Sequence, residues 1–70
     1  MKLTNLELIR TERKLTRKDL AKLSGVNEYT IQALEEGTYD DIKLSTLLAL
    51  SQALRVKAKS LLPFDIAKKV

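Results

Sequence analysis

The 70-residue chain contains no cysteine and no histidine. Disulfide bonds and thiol chemistry are therefore excluded, and the usual zinc ligands are missing. Glycine and proline occur only at Gly25, Gly37 and Pro63. The longest apolar run, residues 47–50, is far shorter than the ~20 residues that span a membrane. The first residues lead into no apolar signal segment. These absences favour a soluble, cytoplasmic, single-domain protein without a metal or cofactor.

Charge is distributed unevenly along the chain. Residues 1–22 carry seven basic and three acidic side chains, residues 23–54 carry one basic and five acidic, and residues 55–70 carry five basic and one acidic. The net charge of +4 thus combines basic ends with an acidic middle. A basic balance suggests a polyanionic partner, but the acidic middle does not fit a simple basic stripe.

Apolar residues recur at helical spacing, and sustained two-residue alternation is absent, so the pattern predicts five short helices and no strand. Thr4 and Thr16 each precede an acidic residue three positions on, as in a capping box, and Asn27 is a good cap for the third helix. Ser45 is expected to cap the fourth helix, and the fifth is expected over 58–62. The residues predicted to face inward are Leu6, Ile9, Leu20, Leu23, Ile31, Leu34, Leu47, Leu48, Leu50 and Leu54.

The clearest motif lies in residues 15–37, which read LTRKDLAKLSGVNEYTIQALEEG. Two short helices joined by a glycine-containing turn form a helix-turn-helix arrangement. Gly25 stands where the backbone turns into the left-handed region, which glycine enters without a steric penalty. Ala21 is small where the two helices cross. The wedge between them is expected to consist of Leu20, Val26, Ile31 and Leu34.

With this motif at about residues 16–36, and with LSTLLALSQALRVKAKSLL later in the chain, the sequence resembles the Cro/cI-type (XRE-like) helix-turn-helix regulators over residues 3–62. The resemblance implies an all-α, compact five-helix lambda-repressor-like DNA-binding domain whose third helix enters the major groove. It also implies dimerisation, and a structural ion pair between Arg10 and Glu35. Residues 63–70 are then a short tail.

The sequence departs from the common pattern of that family at several positions. Arg17 stands where relatives commonly carry Gln, and Glu28 and Ala33 stand where Arg is frequent. The loop predicted over residues 38–44 begins Thr-Tyr-Asp-Asp, whereas relatives are often basic there. The expected reading surface is therefore unusually acidic.

Helical spacing, with Ile31 and Leu34 inward, defines the outer face of the third helix. The candidates for base contacts on that face are Glu28, Tyr29, Gln32 and Ala33. The candidates for phosphate contacts are Arg17, Lys18, Asn27, Thr30 and Lys43. Each also has a simpler interpretation, since a first-turn carboxylate is stabilised by the helix dipole and surface lysines are commonly just solvated.

An apolar cluster near the end of the chain has two interpretations. Leu61, Leu62 and Phe64 surround Pro63. They either close the core of the monomer over Leu54 or form the dimer interface, and the resemblance favours the interface.

Two functions fit these features. The first is a regulator, expected to be a repressor, that binds double-stranded DNA as a homodimer on a palindromic operator, without a cofactor or small-molecule ligand. The alternative is a protein-interaction module that presents its acidic third helix to a basic protein partner. An enzyme is not expected, because the chain lacks histidine, cysteine, a paired carboxylate on one face and a glycine-rich phosphate loop.

Overall fold

The computed structural model describes residues 3–38 and 42–61. They form four helices, α1 (Thr4–Glu12), α2 (Arg17–Ser24), α3 (Glu28–Glu36) and α4 (Leu44–Leu54), and a 3-10 turn over Ala58–Leu61. The described ranges contain no strand, in agreement with the predicted fold class. The fifth element is a 3-10 turn and not an α-helix. Among the described helices, none combines the length and the hydropathy that a membrane-spanning segment requires.

The core is built almost entirely from leucine, with contributions from every helix and from the 3-10 turn. α2 packs against α3 and α4, α1 packs against α3, and the 3-10 turn contacts both α1 and α4. Burying one leucine side chain contributes about 1.5–3 kcal/mol, so each matters in so small a domain. The core residues are Leu3, Leu6, Leu20, Ile31, Leu34, Leu47, Leu50, Leu54 and Leu61.

Local capping defines the start of α2 and the turn between α2 and α3, as predicted. The hydroxyl of Thr16 accepts from the N–H of Asp19 at 3.0 Å, and the carboxylate of Asp19 accepts from the N–H of Thr16 at 3.0 Å. Gly25 ends α2 with φ 79°, in the left-handed region. Asn27 then begins the next helix, since its Oδ1 accepts from the N–H of Tyr29 at 2.7 Å.

The cap predicted for α1 is wrong. Thr4 is the first residue of the helix, and the N-cap position is Leu3, which makes no side-chain cap bond. Its N–H instead donates to the carbonyl of Leu34 at 2.9 Å. The start of α1 is therefore set by a contact with α3 and by burial of Leu3, and not by a local cap.

The cap predicted for α4 is also displaced. Lys43 occupies the N-cap position without a side-chain cap bond, and Ser45 lies inside the helix. The carbonyl of Lys43 already accepts from the N–H of Leu47 at 3.0 Å. The helical bonding pattern therefore begins before Ser45 can act as a cap.

Two leucines that were predicted to face inward are exposed, Leu23 by 62% and Leu48 by 42%. The inner face of α2 is centred on Leu20 and the half-buried Ser24, so Leu23 falls to one side of it. Successive helical residues are about 100° apart, which places Leu48 well round the helix from the buried Leu47. Apolar spacing alone did not show which side of each row of apolar residues packs against the core.

The capping box makes stability depend on pH. The hydrogen bonds from the backbone and side chain of Thr16 hold the pKa of Asp19 below its usual value of 3.8. Its stabilising contribution is therefore fully present above that value and is lost as the pH falls through the lower pKa of the folded state. Asp19→Asn should melt below the wild type at neutral pH, and the difference should shrink below about pH 4.

Thermal unfolding followed by circular dichroism across the acid range measures this difference. Glu12→Gln removes an exposed carboxylate at the end of α1 and is the matched control. If the difference in melting temperature between Asp19→Asn and the wild type stayed constant down to the lowest pH, the role of the ionised Asp19 in the capping box would be contradicted.

Candidate nucleic-acid interface

One buried carboxylate joins the first three helical segments. The side chain of Glu35, on α3, is only 1% exposed. Arg10 of α1 donates to it from Nε to Oε2 at 2.6 Å and from Nη2 to Oε1 at 3.1 Å. Arg17, at the start of α2, donates from Nε to Oε1 at 2.8 Å. The expected pair between Arg10 and Glu35 is present, and Arg17 is a second, unexpected partner.

The remaining contacts of this ion cluster, defined as Arg10, Arg17 and Glu35, compensate for its burial. The Nη1 of Arg10 donates to the carbonyl of Leu15 at 2.8 Å, in the link between α1 and α2. Among the described residues, no buried side-chain nitrogen or oxygen lacks a hydrogen-bond partner. The hydrogen bond with Glu35 raises the pKa of Arg17 above its usual value, so its guanidinium stays charged. Two cations and one anion leave the cluster with net positive charge.

The outer face of α3 presents three of the residues predicted to contact bases. Glu28 and Tyr29 are exposed, Tyr29 by 75%. Gln32 is half-buried, and its Nε2 donates to the carboxylate of Glu36 at 3.2 Å. Since Glu35 is buried and paired, the acidic character of this face comes from Glu28 and Glu36 alone.

Ala33 does not lie on that face. It is only 5% exposed, so the prediction that it points outward is wrong. The N–H groups of Gly37 and Thr38 both donate to the carbonyl of Ala33, at 2.9 and 3.0 Å. The chain thus turns at this end of α3, and the methyl group of Ala33 is buried there. The acidic loop residues Asp40 and Asp41 lie outside the described residues.

Two concave surfaces open beside the N-terminal half of α3. The α1–α2 concavity is lined by Lys14, Arg17, Lys18 and Glu28, among others. The turn–α4 concavity lies between the turn after α2 and the start of α4, and Thr30 lines it. Glu28 and Thr30 are two positions apart, or about 200° around a helix. The two concavities therefore open on different sides of α3.

The five predicted phosphate contacts are divided between these surfaces. Arg17 and Lys18 line the α1–α2 concavity, while Asn27, Thr30 and Lys43 line the turn–α4 concavity. The amide oxygen of Asn27 is used in the cap of α3, but its nitrogen retains two N–H donors. Lys43 is exposed at the start of α4, where no side chain caps the first backbone N–H groups. Both surfaces thus carry donors suited to an anion.

The packed helices α2 and α3, joined by a short turn that contains Gly25, have the arrangement of a helix-turn-helix. Residues 6–61 match the family model described as helix-turn-helix. The chain belongs to the XRE-type helix-turn-helix family. This family consists of DNA-binding regulators of transcription and is not a family of enzymes. No curated protein and no solved structure gives a significant match.

The apolar cluster predicted at the dimer interface needs a correction. Leu61 is fully buried in the same core cluster as Leu54. It is buried because the 3-10 turn folds onto α1 and α4. Leu61 is therefore a core residue of the monomer, while Leu62 and Phe64 lie outside the described residues.

Sequence reasoning missed the contact between Arg17 and Glu35, which are 18 positions apart. One signal was available. Arg17 is one helical turn before Ala21, the small residue expected at the crossing with the next helix. Helical spacing therefore directs Arg17 towards α3.

Replacing different members of the ion cluster should lower the free energy of unfolding by different amounts. Glu35→Met leaves two arginines without a carboxylate, whereas Arg10→Met leaves Glu35 paired with Arg17. Breaking a buried pair costs about 3–5 kcal/mol, so Glu35→Met should reach the top of that range and Arg10→Met the bottom. Arg17→Met should cost about 1 kcal/mol or less, because that residue is partly exposed.

Urea unfolding of the three variants, followed by circular dichroism at neutral pH, measures these losses. Equal losses of unfolding free energy in all three variants would contradict the account in which Glu35 is shared between the buried Arg10 and the partly exposed Arg17.

Proposed function

We propose that this protein is a sequence-specific, double-stranded DNA-binding regulator that acts as a homodimer on a palindromic operator and represses by occupying it. The observation that supports the proposal is the position of α3 between the two concavities. The major groove of B-DNA is about 12 Å wide, admits an α-helix, and is bordered on both sides by phosphates. An inserted α3 would therefore meet bases at its tip and phosphates at both concavities.

Three side chains are proposed to read bases. Glu28 accepts a hydrogen bond from the amino group of cytosine, and Gln32 pairs with adenine through two hydrogen bonds. Gln32 must first leave Glu36, which costs little because that hydrogen bond is exposed to water. Tyr29 contacts a phosphate or a thymine methyl group.

Affinity is proposed to come from phosphate contacts and specificity from α3. Base contacts specify a site, while phosphate contacts supply most of the salt-dependent affinity. Arg17 and Lys18 would hold the backbone on one side of the groove, and Asn27, Thr30 and Lys43 the backbone on the other. An acidic α3 is tolerable in this arrangement because Glu35 is neutralised inside the protein.

The family resemblance supports action as a dimer. A two-fold dimer places two reading helices one DNA turn apart, about 34–36 Å, and so requires a roughly palindromic operator. A bound dimer blocks a promoter without further machinery, which favours repression. We propose a cytoplasmic location and no cofactor.

The charge of α3 supports a second candidate function, docking to a basic protein partner. The outer face of α3 exposes Glu28 and Glu36 and the helix contains no lysine or arginine. The support is weaker than for DNA, because the third carboxylate of the helix is buried in the ion cluster.

Lys43→Ala should weaken binding to all duplexes alike and lower the slope of log K against log salt by about one, because it removes one phosphate contact. Fluorescence anisotropy with a mixed-sequence duplex of about 30 base pairs, roughly three turns, measures both quantities. Lys22→Ala removes an equal charge from the last turn of α2 and is the control. Equal effects of the two variants would mean that only net charge matters.

Gln32→Ala should instead relax the preference at one base pair, at a cost of roughly 1–3 kcal/mol for the cognate base. Competition with duplexes substituted position by position measures the change. Binding to unrelated DNA should stay as in the wild type. A uniform loss at every sequence would show that Gln32 does not read a base.

A further inference from the structure

The unexpected contact between Arg17 and Glu35 suggests how a phosphate is held. We propose that Glu35 is a positioning residue for DNA binding, which fixes the guanidinium of Arg17 through Nε so that both Nη groups face a DNA phosphate. The inference rests on the proposed function and identifies the residue that supports one of its phosphate contacts.

The geometry divides the guanidinium of Arg17 into two parts. Nε, the nitrogen nearest the side-chain stem, donates to Glu35 at 2.8 Å. The two Nη groups lie beyond it and carry four more N–H donors. Within residues 3–38 and 42–61, no acceptor is hydrogen-bonded to them. The side chain of Arg17 is 29% exposed and that of Glu35 only 1%, so the arginine reaches from the buried carboxylate to the surface.

Arg10 cannot play this part. Its Nε and Nη2 donate to Glu35, and its Nη1 donates to the carbonyl of Leu15. All three of its nitrogens are therefore engaged inside the protein. Arg17 is the cation of the cluster whose two Nη groups are both left for an external group, whereas each Nη group of Arg10 already makes an internal hydrogen bond and its side chain is only 10% exposed.

The charge of the surroundings also favours an anion at this point. The ion cluster carries two cations and one anion, and Lys14 and Lys18 line the same concavity as Arg17. The exposed carboxylate of Glu28 is the acidic group that lines this surface. Four cations in the ion cluster and the concavity lining thus face two carboxylates, Glu35 and Glu28, although Glu36 and Glu7 also act electrostatically on Arg17. A phosphate in contact with Arg17 would be attracted chiefly by Arg17 itself and by the two lysines.

Prior fixation of Arg17 should strengthen the contact. Arginine is a long, flexible side chain, and its planar fork binds phosphate oxygens through two parallel hydrogen bonds. A fork already held at Nε loses less freedom on binding than a free one. A carboxylate that withheld Arg17 from the phosphate would have the opposite effect on affinity. The two effects change affinity in opposite directions.

A double-mutant cycle with Arg17→Gln and Glu35→Gln shows whether Glu35 positions Arg17 for the phosphate or withholds it. Affinity for a mixed-sequence duplex is measured for the wild type, both single variants and the double variant, at a temperature where circular dichroism shows all four folded. Glu35→Gln removes a negative charge in both backgrounds, so its general effect on DNA affinity cancels in the cycle.

Positioning predicts that Arg17→Gln lowers affinity roughly tenfold when Glu35 is present, and about threefold or less when residue 35 is glutamine. An equal loss in both backgrounds would overturn the inference, since Glu35 would then be only structural. A larger loss in the glutamine background would also overturn it, because Glu35 would be withholding Arg17.

Arg17→Lys tests the same inference with Glu35 intact, should Glu35→Gln not fold. Lysine keeps the charge but not the planar fork, so this variant should show most of the loss seen with Arg17→Gln. Full affinity in Arg17→Lys would overturn the inference. Lys22→Gln, outside the cluster, is the control for charge. Failure of the wild type to bind any duplex would instead overturn the proposed function, and the inference with it.

Discussion

The carboxylate of Glu35, held between the guanidinium groups of Arg10 and Arg17, is the contact that relates the first three helices to one another. The leucine core supplies most of the driving force for folding, but apolar contacts are not directional. Hydrogen bonds at 2.6 and 2.8 Å to one buried carboxylate have strict geometry. They therefore fix the start of α2 and the end of α3 relative to α1, and with them the angle at which α3 projects.

This cluster also explains how a basic protein can present an acidic helix. Glu35 makes no contribution to the outer surface, and Gln32 is hydrogen-bonded to Glu36. Two exposed carboxylates remain, Glu36 and Glu28, and Glu28 lies beside the cationic Arg17 and Lys18. One of the three carboxylates of α3 is therefore neutralised inside the fold, because Arg10 and Arg17 of the basic N-terminal third pack against it.

Sequence patterns predicted the parts of the fold that depend on local chemistry. Thr16, Gly25 and Asn27 act within a few residues of themselves, and their roles followed from residue type and spacing. The start of α1 depends on a bond from Leu3 to Leu34, and Ala33 is covered where the chain turns back. Such contacts join residues far apart or depend on a turn, and helical periodicity contains no information about them. The second partner of Glu35 is a partial exception, since helical spacing relative to Ala21 directs Arg17 towards α3 but does not specify which residue it meets there.

The most direct test of the account is a selection of bound duplexes from a random-sequence DNA library at near-physiological salt. The account predicts recovery of a palindrome whose half-sites lie about one helical turn apart, with base preferences that change when Gln32 is replaced. Recovery of no sequence above background from folded protein would contradict it, and α3 would then be assigned to a basic protein partner.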